Sequence, residues 1–220
     1  MVRAVVPGGA CVGTIDTVIF DLGEVLIPWD PRKLYRQLIP DAERMERFLA
    51  EICSPEWNLR QDAGRPLAEG TQALIAAFPE QEALIRAFYG RWLEMLGEVI
   101  EGSAALVREL KAEGYRVLAL SNWSGETFPL AQARYPILRE FEGIVISGFE
   151  GMIKPDPAIY RLLCARYHVI PQQAVFLDDS LLNVEGAKAM GMQAILFRSP
   201  GQARDALVAL GLRVARHAGL

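Results

Sequence analysis

Hydrophobic and polar positions change their rhythm twice along the chain. Thr17-Val18-Ile19-Phe20 is an unbroken run of high β-propensity that stops at Asp21, the pattern of a strand buried on both faces that delivers a carboxylate to its C-terminal edge. Gly23 follows two places later and permits a sharp turn. The two prolines of Ile27-Pro28-Trp29-Asp30-Pro31 rule out a helix interior or a central strand, so a loop leaves the sheet edge there. Across residues 31–97 apolar positions recur at helical spacing, with breaks at Asp62-Ala63-Gly64-Arg65-Pro66 and Phe78-Pro79-Glu80, which predicts four helices and no strand.

From Ser103 onward helix and strand alternate. Strands are predicted at Arg116-Val117-Leu118-Ala119-Leu120-Ser121, Gly143-Ile144-Val145-Ile146-Ser147, Ala174-Val175-Phe176-Leu177-Asp178-Asp179 and Gln193-Ala194-Ile195-Leu196-Phe197. Helices are predicted over 105–113, 126–135 with Pro129 in its first turn, 157–167, 182–190 and 202–210. Such alternation implies a parallel sheet with right-handed crossovers. The expected fold is α/β: a Rossmann-like parallel sheet with helices on both faces, its core formed by residues 14–30 and 98–220, with a helical cap inserted over 31–97.

Composition narrows the partners. With 51% hydrophobic and 23% charged residues and a formal net charge of −4, the chain is globular and offers no basic face for nucleic acid phosphates. No apolar run approaches the roughly 20 residues of a membrane span, so neither nucleic acid nor membrane is expected as a partner. Residues 1–13 are expected to be a loose leader, because Pro7-Gly8-Gly9 interrupts the apolar positions. Cys11, Cys53 and Cys164 are odd in number and widely spaced, which fits a reducing, cytoplasmic setting rather than a disulfide framework or a zinc site.

Candidate chemistry gathers at the strand ends: Asp21, then Ser121-Asn122, then Asp178-Asp179, with Lys154 in the loop Gly151-Met152-Ile153-Lys154-Pro155-Asp156-Pro157. In a parallel sheet these ends share one edge. Each alone has an ordinary structural reading, as turn residue, helix N-cap or solvated lysine. Together they suit a phosphoryl group. Paired carboxylates repel unless a cation lies between them, and hard oxygen ligands favour Mg²⁺. Lys154 and the N–H groups beyond Ser121 then neutralise phosphoryl oxygens while Asp21 attacks phosphorus.

The order FDLGEV, LSNWS, GMIKPDP, FLDDSLLN resembles the four motifs of the haloacid dehalogenase superfamily of aspartate-nucleophile hydrolases, from about Thr17 to Phe197. The helical insert is similar to the subgroup holding sugar phosphatases, haloacid dehalogenases and epoxide-hydrolase amino domains, and the motif details to the bacterial glucose-1-phosphate phosphatase type. The resemblance implies an Mg²⁺-dependent phosphatase acting on a small phosphoester, a sugar phosphate among the options, as a monomer or homodimer. It makes Asp21 the nucleophile and a metal ligand, the Gly23 carbonyl a main-chain ligand, and Ser121 with the Asn122 backbone the phosphate-binding motif. Lys154 becomes the neutralising lysine and Asp179 an acidic ligand with Asp178 beside it, while Asn183 stands where a further carboxylate is common. A 2-haloacid dehalogenase lacks the acidic pair, so the pair favours the phosphatase.

One departure stands out. Most phosphatases of the superfamily carry a second Asp two residues after the nucleophile as general acid; here that place is Gly23. Three outcomes follow: esters with better leaving groups, a proton relay through Glu24 or a cap residue, or a non-catalytic phospho-ligand or partner-binding module. In the cap, Trp57, Arg60, Gln61 and Asp62 either reach substrate or form an inter-helix turn with Trp57 as anchor. Trp123 either lines the pocket or packs under the cap. His168 and His217 are expected at the surface, and Phe78, Phe88, Trp92 and Met95 in the core.

Overall fold

The computed structural model describes residues 14–214; the leader, Cys11 and His217 lie outside them. Five parallel strands form one sheet in the order β3-β2-β1-β4-β5: β1 (Thr17–Phe20), β2 (Arg116–Ser121), β3 (Gly143–Ile146), β4 (Ala174–Asp178) and β5 (Gln193–Leu196). Alternate residues of the central strand serve opposite faces. Val18 and Phe20 join one apolar cluster with Val117, Ala119, Val175 and Leu177. Ile19 joins the other with Leu118, Leu120 and Phe176. Helices α6 (Glu101–Ala112) and α11 (Pro200–Ala209) cover the first face through Leu106, Leu110 and Leu207, and α9 (Pro157–Tyr167) and α10 (Leu181–Ala189) the second through Ile159, Leu163 and Ala187. The Rossmann-like α/β arrangement with helices on both faces is therefore as the sequence pattern requires.

Between β1 and α6 the chain forms five α-helices, one more than the four the periodicity predicts: α1 (Arg32–Leu38), α2 (Ala42–Glu51), α3 (Pro55–Asp62), α4 (Leu67–Ala77) and α5 (Glu82–Gly90). The unpredicted one is α3, whose buried residues are Trp57 and the polar Asn58, Gln61 and Asp62. A helix that buries polar side chains leaves no apolar period to detect. Ser54 marks its start by accepting the Trp57 backbone N–H, with Pro55 behind it. The segments entering and leaving this helical layer run side by side: the Asp30 N–H donates to the Met95 carbonyl at 2.9 Å and the Gly97 N–H to that of Pro28 at 2.7 Å. Its aromatic residues Tyr35, Phe48, Trp57, Phe88 and Trp92 belong to the same apolar cluster as one face of the sheet.

Two further elements flank the sheet edge. The predicted helix after β2 is α7 (Phe128–Arg134), with Pro129 in its first turn. Ser147, read from sequence as the end of the third strand, instead opens a single helical turn, α8 (Ser147–Glu150). No helix among the described residues is long and apolar enough to cross a membrane.

Candidate active site

The strand register dictates what meets at the sheet edge. Phe20 pairs with Leu177 of β4 and with Ala119 of β2, and the Asp21 N–H donates to the Leu177 carbonyl at 2.8 Å. Asp21 and Asp178 are thus forced abreast, with Ser121 on the other side. The order β3-β2-β1-β4-β5 also puts the reversal of strand order between β1 and β4, where open α/β sheets bind ligands.

Lys154 resolves the repulsion between the two carboxylates. Its Nζ lies 3.0 Å from Asp21 Oδ1 and 2.6 Å from Asp178 Oδ2, with Lys154 2% and Asp178 0% exposed. Burial by itself would lower the Lys154 ammonium, but Asp21 and Asp178 together hold it above its ordinary value. Asn122 fixes the lysine's main chain: its Nδ2 donates to the Lys154 carbonyl at 3.0 Å, and its Oδ1 accepts the Lys154 N–H at 2.8 Å. The side chain of Asn122 therefore ties two motif loops together, a role distinct from the backbone contact expected of it. Replacing Lys154 with Met is expected to destabilise the metal-free protein by about 3–5 kcal/mol, since it leaves two buried carboxylates unpaired; urea denaturation in the presence of a chelator measures this.

Burial pushes the Asp21 carboxyl up to about 7, with Lys154 opposing the rise, Asp178 adding to it and the Ser121 hydroxyl opposing it. Asp21 Oδ1 accepts both the Leu22 N–H, at 2.7 Å, and Lys154, at 3.0 Å. One lysine is not enough positive charge for this edge. Asp21, Asp178 and Asp179 each offer an oxygen, all within 4.8 Å of one another, and burial also raises the Asp179 carboxyl, with Asp178 adding to it. An all-oxygen donor set short of positive charge fits a hard divalent cation such as Mg²⁺. Asp178 is already engaged, accepting from Lys154 and, through Oδ1, from the Ser180 N–H at 2.8 Å and Asn183 Nδ2 at 3.0 Å. Asp21, Gly23 and Asp179 instead line the cavity above the edge.

That cavity, about 200 Å³, is also lined by Glu24, Ser121, Asn122 and Trp123 and roofed by Trp29, Asn58, Asp62 and Trp92. Trp123 lines the cavity, and its Nε1 donates to Thr127 Oγ1 at 3.1 Å. Glu24, at a left-handed φ of 55°, is exposed and its Oε1 accepts the Trp29 N–H at 2.7 Å. Trp92, expected only in the core, reaches the cavity. Trp57 is an anchor, its Nε1 donating to the Gly70 carbonyl at 3.1 Å, Arg60 is exposed and Gln61 is bonded inside the helical layer. His168 ends α9 in a left-handed conformation, exposed. Asn58 and Trp29 have no sequence motif; the only trace is the four-residue spacing of Asn58 and Asp62 on α3.

Asp62 is the buried cap carboxyl. Burial pushes it up to about 7, against the pull of the Ser124 backbone N–H. Because its folded value lies above the ordinary 3.8, its contribution to stability is full below about pH 4 and lost as pH rises through 7, a difference of roughly 4 kcal/mol. The Asp62→Asn protein is accordingly expected to gain on wild type by roughly 2–3 kcal/mol between about pH 5 and pH 8 in urea denaturation.

A family model for haloacid dehalogenase-like hydrolases matches residues 15–191. The chain is 27% identical over 188 residues to sesquiterpene phosphatase astK of Aspergillus oryzae, covering 81% of this chain and 88% of that protein. It is 35% identical over 177 residues to bifunctional epoxide hydrolase 2 of Rattus norvegicus, covering 77% of this chain but only 30% of that longer protein. Among solved structures, a HAD-family enzyme of Bacteroides thetaiotaomicron in complex with magnesium and inorganic phosphate superposes with a TM-score of 0.64 at 24% identity, covering 84% of this chain and 95% of that one. With a fold, a strand-end carboxylate cluster and a family match that all coincide over the same residues, the chain belongs to the haloacid dehalogenase-like hydrolases.

Proposed function

We propose that the protein is a phosphatase that hydrolyses a small phosphoester with Mg²⁺ through an aspartyl-phosphate on Asp21. The observation that carries this reading is the cluster of Asp21, Asp178 and Asp179 with Lys154 bound between the first two, at the floor of a roofed cavity. Asp21, the Gly23 carbonyl and Asp179 would hold the metal, whose charge would neutralise phosphoryl oxygens. Ser121 and the Asn122 N–H receive the phosphoryl group, and Lys154, kept in place by Asp178 and Asn122, balances its charge as Asp21 attacks. The roof excludes water from the reacting centre. That a relative is a sesquiterpene phosphatase and a neighbour binds magnesium and phosphate supports the same reading.

The walls narrow the substrate. Trp29, Trp92 and Trp123 surround about 200 Å³, a shape suited to a compact organic group with an apolar or ring face, as in a sugar phosphate or a short isoprenyl phosphate. The test is phosphate release from a panel holding both kinds and a 2-haloacid, with Mg²⁺ present. Release from at least one phosphoester, with no halide from the haloacid, is expected; halide release without phosphatase activity would overturn the proposal.

A further inference from the structure

Gly23 leaves bare the position from which a leaving oxygen is ordinarily protonated, and an alkoxide cannot depart readily without a proton. Three facts about the roof point to a substitute. First, attack by Asp21 from the floor expels the leaving oxygen in line, on the side facing the roof, and Asp62 lines that side. Second, Asp62 is held rigidly. Ser147 Oγ donates to its backbone carbonyl at 2.5 Å and also accepts the Trp123 N–H at 2.9 Å, so one hydroxyl ties the cap residue to the phosphate-binding loop. Asn58 Nδ2 donates to Asp62 Oδ2 at 2.9 Å, and the Asn58 amide is oriented by the Tyr89 hydroxyl, which donates to its Oδ1 at 2.9 Å. Third, Asp62 is 7% exposed and no cation among the described residues pairs with it, so nothing but two N–H groups favours its charge. Its carboxyl, pushed up to about 7 by burial, holds a proton in the range where the enzyme would work. Glu24, the other carboxylate nearby, is exposed and committed to the Trp29 N–H.

We infer that Asp62 is the general acid and base of this enzyme, supplied by the cap in place of the residue missing at position 23; the inference rests on the phosphatase reading above. In the first step the Asp21 oxygen bonds to phosphorus as the phosphorus–oxygen bond to the leaving group breaks, and the Asp62 proton passes to the departing oxygen to give the alcohol. In the second, the Asp62 carboxylate takes a proton from water as the water oxygen bonds to phosphorus and the Asp21–phosphorus link breaks. Phosphate leaves, and Asp21 and Asp62 return to carboxylate and acid.

Leaving-group dependence tests this. With Mg²⁺ present, Asp62→Asn is expected to lower kcat/KM, which reads only the steps through phosphoryl transfer to Asp21, by about 10²–10⁴-fold on an alkyl phosphate and by less than about ten-fold on p-nitrophenyl phosphate, whose leaving group needs no proton. A carbon atom added at Gly23 meets nothing within 4 Å, so Gly23→Asp combined with Asp62→Asn is expected to recover alkyl phosphate turnover by at least about ten-fold. Equal losses of kcat/KM on both substrates, or none on either, would overturn the role of Asp62 while leaving the phosphatase intact. Wild-type protein inactive on both, and on the wider panel, would overturn the phosphatase reading itself and this inference with it. Should the single variant fail to fold, Gly23→Asp alone decides: an unchanged alkyl-to-aryl ratio of kcat/KM is expected where the roof already supplies the proton, and a ratio raised by about ten-fold or more would overturn the role of Asp62.

Discussion

Asp21→Asn is expected to reduce phosphate release by at least about 10⁴-fold, the scale on which a hydrolase loses its nucleophile. The amide cannot form the bond to phosphorus, and the neighbouring groups provide no substitute: Asp178 is 0% exposed and fully engaged with Lys154, Ser180 and Asn183. Asp179 follows it at the mouth of the next helix rather than on the central strand. The fold should survive the change. Burial already pushes the Asp21 carboxyl up to about 7, so a neutral isostere removes an unfavourable buried charge, and Lys154 keeps Asp178 as partner. Circular dichroism and urea midpoints close to wild type, beside absent turnover, are the expected pair of results.

Chelation of divalent metal is expected to bring turnover to background, and Mg²⁺ to restore it. Three carboxylates within 4.8 Å, relieved by a single lysine, are short of positive charge. A dianionic phosphoester adds more negative charge to the same edge, so without a cation the substrate meets net repulsion. Titration calorimetry separates this from a kinetic effect: wild type should bind Mg²⁺ in the absence of substrate, and Asp179→Ala should bind it at least about ten-fold more weakly. Activity that survives exhaustive chelation would remove the metal from the account.

How far the chain could be read without coordinates depends on what each residue does. Val18, Phe20, Ala119 and Leu177 serve a buried parallel sheet, and their unbroken apolar runs announce it. The polar residues that end those runs are conspicuous for the same reason, so Asp21, Ser121 and Asp178 stand out, and the strand order then makes them neighbours. The cap is different. Helix α3 turns Asn58, Gln61 and Asp62 inward, each satisfied by a partner from another element or the same buried network, and such polar burial has no hydrophobic period to betray it. Trp92 reads as core because one side of it is core, and Trp29 reads as part of a loop; that both bound a cavity is a fact of how the helical layer sits over the sheet. The same holds for Asn122, whose clamp on Lys154 spans 32 residues of sequence, and for Ser147, which joins Asp62 and Trp123 from a turn read as strand.

This also changes the meaning of Gly23. It is usable as a main-chain ligand, since its carbonyl accepts only the Val25 N–H, at 2.6 Å, among its backbone bonds and a carbonyl has a second lone pair. The space beside it is open, so steric exclusion does not account for the missing acid, and the cap carboxyl that faces the same cavity is the group positioned to replace it.

The central claim is that Asp21 itself becomes phosphorylated. It is tested most directly by acid-quenching wild-type enzyme during steady-state turnover with Mg²⁺ and mapping its peptides by mass spectrometry. A phosphoryl group on the peptide carrying Asp21, absent from the Asp21→Asn protein, is the predicted result. Steady phosphate release with that peptide unmodified at every quench time, or with the label on another residue, would contradict the account.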